Sequence, residues 1–169
     1  RLAPAHDVRE VQERAVRALA DLVESPAGAL WVRDDDGVYR PAARWNMPAI
    51  EASEVASGSL VRFLAQSGWI VDLAEYQADR ARYGELAAPQ WLIDAPSAWL
   101  VVPLLSATEL VAFVVLAKPR AEIEVNWEVR DLLKVASRQA ASYLDQVRAT
   151  EALVEARKFD AFNRMSAFV

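Results

Sequence analysis

The chain has 169 residues, a formal charge of −5 and no cysteine, and 54% of it is hydrophobic. That is apolar material for one domain with a sizeable core and a long extension, and it excludes general disorder. The acidic balance argues against a nucleic-acid grip built on clustered Lys and Arg, and the missing cysteines exclude disulfides, thiolate metal sites and a catalytic Cys.

Arg1–His6 reads as a lead-in. Asp7 with Glu10 has the form of a capping box, with Asp in place of Ser or Thr. Val8, Val11, Ala15, Leu19, Leu22 and Val23 then recur at helical spacing, and Ser25-Pro26 and Gly28 are expected to end the helix. Ala29–Arg33 is a strand and Asp34-Asp35-Asp36-Gly37 a hairpin turn. The remaining ligand positions of an EF-hand loop are absent, so the aspartates read as turn residues rather than cation ligands. Val38–Trp45 returns as the second strand, and the even separation of Tyr39 and Trp45 puts both on one face.

A helix over Ser57–Gln66 follows, with Leu60, Phe63 and Leu64 as its apolar face and Gly68 as its C-terminal cap. Trp69–Leu73 is a third strand. Ala74–Pro89 reads as an irregular helical segment anchored by Tyr76, Tyr83 and Leu86, and Trp91–Ile93 as a short helix or strand. Ala98–Leu105 and Glu109–Lys118 are strands joined by a turn at Ser106–Glu109. Both are apolar on both faces, as in a sheet covered on both sides. No Gly or Pro follows Arg120, Asn126 suits an N-cap, and one helix is expected from Trp127 to Val169. At 1.5 Å per residue it would be about 64 Å long, too long for a compact domain of this size. Leu133, Ala136, Ala140, Tyr143 and Val147 keep the spacing of a coiled-coil seam, which resumes after a stutter at Val154, Lys158, Ala161, Met165 and Phe168. The order predicts an α+β fold: an antiparallel sheet with the first and last helices on one face and the middle segments on the other.

Reactive chemistry is sparse. His6 is the one histidine, so neither a Ser-His-Asp triad, nor an imidazole metal cluster, nor haem ligation is expected. The scattered glycines make no phosphate loop. Glu122 and Glu124 read as solvated, while Asp72, Asp79 and Asp94 flank the pocket side. Trp45, Phe63, Trp69, Trp91, Trp99, Val101 and Phe113 are the candidate pocket residues. They either line a cavity for an apolar or planar ligand or simply fill the core; both readings stand at this point. No apolar run approaches the roughly 18 residues of a membrane helix. The chain starts at Arg1 without Met and stops within a pattern at Val169, so a piece of a larger protein is expected, and flanking membrane segments stay open.

Leu100-Val101-Val102-Pro103-Leu104 followed by Leu110–Leu116 resembles the strand pair of GAF domains, with Ala112 where Gly is usual. Leu132-Leu133, Ala136, Gln139-Ala140-Ala141 and Leu144 resemble the terminal helix of that family, which is related to the PAS fold. The resemblance implies a GAF sensory domain over residues 1–147 and a coiled-coil linker over 148–169. It implies no bilin, since attachment needs a Cys, and leaves a small ligand open. Glu155–Val169 resembles the run-up to the phospho-acceptor helix of sensor histidine kinases, most similar to the PEP-CTERM/exosortase type known as PrsK. That implies kinase domains in cis beyond Val169, no kinase activity in this piece alone, and a cytoplasmic position within a membrane-anchored protein; the seam spacing adds homodimerisation through the first and last helices. Val11, Leu19, Leu133, Ala136, Ala140, Tyr143, Val147 and Val154 are the residues assigned to that contact. A ligand-free relay and the GAF domain of a transcriptional regulator or cyclase remain alternatives. A GAF-like sulfoxide reductase would rely on cysteines, and there are none.

Overall fold

The structure, a computed structural model, describes residues 5–107 and 109–167. The expected lead-in at residues 1–4, Thr108 in the hairpin turn, and Phe168 of the seam lie outside the described residues, as does the side chain of His6. The elements are α1 (Ala5–Leu22), β1 (Gly28–Arg33), β2 (Tyr39–Trp45), α2 (Ser59–Ser67), β3 (Val71–Asp72), α3 (Leu73–Ala78), a 3₁₀ turn at Arg80–Tyr83, α4 (Gln90–Asp94), β4 (Ala98–Leu105), β5 (Leu110–Ala117) and α5 (Trp127–Ala167). The five strands form one antiparallel sheet in the order β2-β1-β5-β4-β3. This is the predicted α+β architecture, with β5 at its centre and buried along its whole length.

Side chains of alternate parity feed two cores, one on each face. On one face Trp31, Val101, Phe113 and Val115 pack against Leu60, Val61, Leu64, Tyr76, Tyr83 and Leu92 of α2, α3, the 3₁₀ turn and α4. On the other, Leu30, Leu100, Val102, Val114 and Leu116 pack against Val16, Leu19 and Ala20 of α1 and Leu133, Ala141 and Leu144 of α5. Both faces are therefore dry, which is why β4 and β5 do not alternate in polarity. Gly28 shows how closely α1 approaches the sheet: a Cβ there would lie 2.8 Å from Val16 Cγ1 and 3.2 Å from the Val115 carbonyl.

Several expectations need correction. Asp7 does not cap α1, which already includes Ala5 and His6. The helix is closed not by Ser25-Pro26 and Gly28 but by Glu24, which takes the left-handed conformation (φ 56°) and lets the Ser25 N–H reach Ala20 O at 2.8 Å. Gly28 is the first residue of β1. The third strand shrinks to Val71–Asp72 because Asp72 caps α3, accepting from the N–H groups of Ala74 and Glu75. Tyr39 and Trp45 do not share a face. Leu30 pairs with Ala43 but Trp31 pairs with Pro41, so Ala42 is an extra residue in β2, and this bulge inverts the parity beyond it. A register shift in β4 does the same for Trp99, because Ala98 pairs with Ala117 and Leu100 with Leu116.

α5 is capped as predicted: the Asn126 side chain accepts from the Val129 N–H at 3.0 Å. It runs unbroken for 41 residues, and its last buried side chain among the described residues is Leu144. Beyond it α5 still touches the end of β1 and the β1–β2 turn through Arg148, and from Glu155 to Ser166 every described side chain is exposed. No helix of the described residues is long and apolar enough to cross a membrane.

Candidate functional site

The core face under α2, α3 and α4 is built around stacked aromatic rings. Trp31 is wholly buried. Its ring lies 4.9 Å from that of Trp91 at 27° and 5.3 Å from that of Phe113 at 6°, and Tyr39 tilts against Phe113 at 6.1 Å. This is offset stacking of the kind that adds to simple area burial. Each polar tip has a partner. The Trp31 indole N–H donates to Ala52 O (2.9 Å), the Trp91 indole to Glu54 Oε1 (2.6 Å), and the Tyr39 hydroxyl to Leu110 O (2.7 Å). Glu54 is itself fixed by two main-chain bonds to Tyr39. Among the described residues no buried side-chain nitrogen or oxygen lacks a partner.

A second aromatic group flanks the first. Tyr83 meets Phe63, Trp69 and Tyr76 at 5.8, 6.1 and 5.9 Å. Its hydroxyl donates to Glu75 Oε1 at 2.7 Å and accepts from the Asp72 N–H at 3.0 Å. Burial raises the ionisation of Tyr83 and of Tyr39 above the ordinary tyrosine value, so both stay neutral hydroxyls. A depression of about 840 Å³ opens beside β2 and reaches the edge of Trp31 between Pro41, Arg44, Ile50 and Glu51.

Of the seven expected pocket residues, Phe63, Trp91, Val101 and Phe113 share this face. Trp69 stands at its rim, 47% exposed and edge-on to Tyr83. Trp45 and Trp99 lie on the opposite face because of the two register shifts, and Trp45 there carries Arg17 over its ring at 5.6 Å. Trp31, the centre of the stack, is not among the expected pocket residues; its pairing with Phe113 across β1 and β5 is a long-range register that no local pattern announces.

The helical contact residues also divide. Leu19 and Leu133 are fully buried within the protomer's own core. Val11, Ala136 and Ala140 are partly buried beside it, Tyr143 is exposed, and Val147 and Val154 are intermediate. On the adjoining outward side, Leu132, Val135 and Leu153 are exposed as well.

The three turn aspartates are occupied by arginines. Arg40 holds Asp34 and Asp36, each at 2.8 Å, and Arg148 of α5 holds Asp35 at 2.7 Å. Asp72 caps α3, and Asp94 accepts from Gln90 within α4. The described residues contain no group of three His, Cys, Asp or Glu side chains able to hold a metal ion. The hydrogen bond from Arg40, with a further one from the Val38 N–H, holds the Asp36 carboxyl down at about 2. A depressed carboxylate supports the fold above its unfolded value, near 4, and that support is lost as pH falls through the folded value. An NMR titration of Asp36 should therefore show a midpoint near 2, and Arg40→Gln should return it towards 4.

The pattern of the GAF domain family matches residues 7–144. No curated protein matches the chain. Among solved structures, the GAF domain/HD domain protein from Geobacter sulfurreducens superposes with a TM-score of 0.67 at 19% identity, covering 88% of this chain and 99% of that one. The GAF domain of a phosphoenolpyruvate-protein phosphotransferase from Coxiella burnetii gives 0.64 at 14% identity, covering 86% of each chain. Residues 122 to 287 of a methyl-accepting chemotaxis protein give 0.64 at 15% identity, covering 86% of this chain and 93% of that one. At such identities the likeness shows the shared fold.

Proposed function

The chain belongs to the GAF domain family, a family of sensory and regulatory modules, and on that premise we propose that it is the signal-sensing and relay domain of a sensor histidine kinase. The observation that carries the relay is α5. One unbroken helix has Leu133, Ala141 and Leu144 in the core of the sensing fold and Phe159, Phe162 and Met165 exposed at its far end. A movement of the sheet face against α5 is delivered along that helix, since a helix transmits rotation and displacement as a rigid element. Residues 1–147 act as the sensing unit and 148–169 as the linker to the kinase module.

In this reading the protein works as a homodimer, with α1 and α5 of two copies side by side. The half-buried and exposed positions Val11, Ala136, Ala140, Tyr143, Val147 and Val154 are available to it, whereas Leu19 and Leu133 are already committed to the protomer's core. The likeness of Glu155–Val169 to the PrsK type of exosortase-system kinase supports the kinase assignment and a cytoplasmic position. The closed stack of Trp31, Trp91 and Phe113 favours a second reading, a relay that works through dimer geometry without a ligand.

Two measurements test the proposal. Light scattering of the chain should give twice its 18.7 kDa at high concentration, and a strict monomer would contradict the dimer. The full-length protein incubated with labelled ATP should become phosphorylated on a histidine beyond Val169. Absence of acid-labile phosphate would remove the kinase assignment.

A further inference from the structure

α5 is tied to the sensing fold by two arginines. Arg130, in its first turn, donates to Ile70 O at 2.8 Å and to Glu75 Oε1 at 3.3 Å, which joins the helix to α3 and to the Tyr83 group. Arg148 lies eighteen residues on, or about five full turns, so both project from one side of the helix. It donates to Arg33 O and to Asp35 Oδ1 of the β1–β2 turn. Between the two arginines the helix is also held by buried Leu133, Ala141 and Leu144. Beyond Arg148 no side chain among the described residues of α5 is buried.

The turn that receives Arg148 is braced. Arg40 engages Asp34 and Asp36 and leaves Asp35 to the helix. Arg33 reaches across to Glu109 beside the β4–β5 turn at 2.6 Å. These neighbouring pairs position the acceptors, and the ion pair to α5 is itself open to water: the Arg148 side chain is 38% exposed and that of Asp35 fully so. An exposed pair is weak and screened by salt. This pair and the single bond to the Arg33 carbonyl, both at the end of the buried stretch, can be broken without unfolding the core.

We propose that Arg148 is a latch that fixes where α5 leaves the sensing fold, and that its release from the β1–β2 turn frees the linker to pivot about the Arg130–Leu144 segment. Its role in output rests on the relay reading above; its role as a mechanical tie does not. The second acceptor being a backbone carbonyl, the latch depends on the position of the turn and not only on its charge.

The native chain has no cysteine, so spin labels at Ala65→Cys and Ala156→Cys are unique. In chain diluted into excess unlabelled protein they should report one narrow distance. Arg148→Gln should add a second population at a different distance, Asp35→Asn should do so more weakly, and high salt should do so in the otherwise native chain. Arg148→Lys keeps the charge but not the fork and should fall between. Arg138→Gln, on an exposed position of the same helix, should leave the distribution unchanged. Identical distributions for Arg148→Gln and the native arginine would overturn the latch. A shifted distribution with unchanged phosphorylation of the full-length protein would keep the latch and overturn the relay.

Discussion

Replacing Trp31 by alanine should cost roughly 3–5 kcal/mol of stability, the range for deleting a buried large aromatic. The side chain is wholly buried, stacked on both Trp91 and Phe113, and bonded through its indole to Ala52 O. Its loss leaves a cavity in the middle of the sheet face and a carbonyl without its donor. Urea denaturation should show the midpoint falling steeply. Trp45→Ala is the internal comparison. Trp45 is only partly buried, beneath Arg17 on the other face, and its loss should cost clearly less. Equal losses would mean that the bulge at Ala42 does not separate the two residues.

Leu133→Ala should cost roughly 2–5 kcal/mol, whereas Leu132→Ala should stay within about 0.5 kcal/mol in the isolated chain. Neighbours in sequence, they point about 100° apart on α5: Leu133 is completely buried against the sheet and Leu132 is 49% exposed. Leu133 also stands next to the Arg130 tie, so its removal should loosen the start of α5. Faster amide exchange in the first turns of α5, measured in Leu133→Ala but not in Leu132→Ala, would show that loosening directly.

Much of this was legible in the chain before folding. The doubly apolar strands at Ala98–Leu105 and Leu110–Ala117 announced a sheet covered on both faces, and the Asp-rich turn and Asn126 cap fell where expected. These are local signals, carried by few residues each. The two misplaced tryptophans share a cause. Parity counting fails at a bulge, and neither Ala42 nor the shift beside Trp99 has a composition that marks it. Two of the tryptophans assigned to the pocket therefore went to the wrong face. Trp31 was passed over because a lone Trp in a short strand gives no hint of which rings lie across the sheet. The helical seam mixed two faces at Leu133 because a 3-4 pattern cannot say whether a stripe packs on its own sheet or on a partner. The arginine ties from α5 to Glu75 and Asp35 join residues far apart in sequence, and no local pattern foretells them.

In the proposed relay to a kinase module, output depends on the phase of α5 beyond the sensing fold. Removing seven residues, Ala149–Glu155, shortens the helix by about two turns and changes its facing by only ~20°. Removing Ala149 and Thr150 alone turns everything downstream by about 200°. Both deletions leave Arg148 and the buried segment through Leu144 in place. Phosphorylation of the full-length protein is the measurement. The seven-residue deletion should retain regulated phosphorylation and the two-residue deletion should abolish or invert it; the same output from both would contradict transmission through α5.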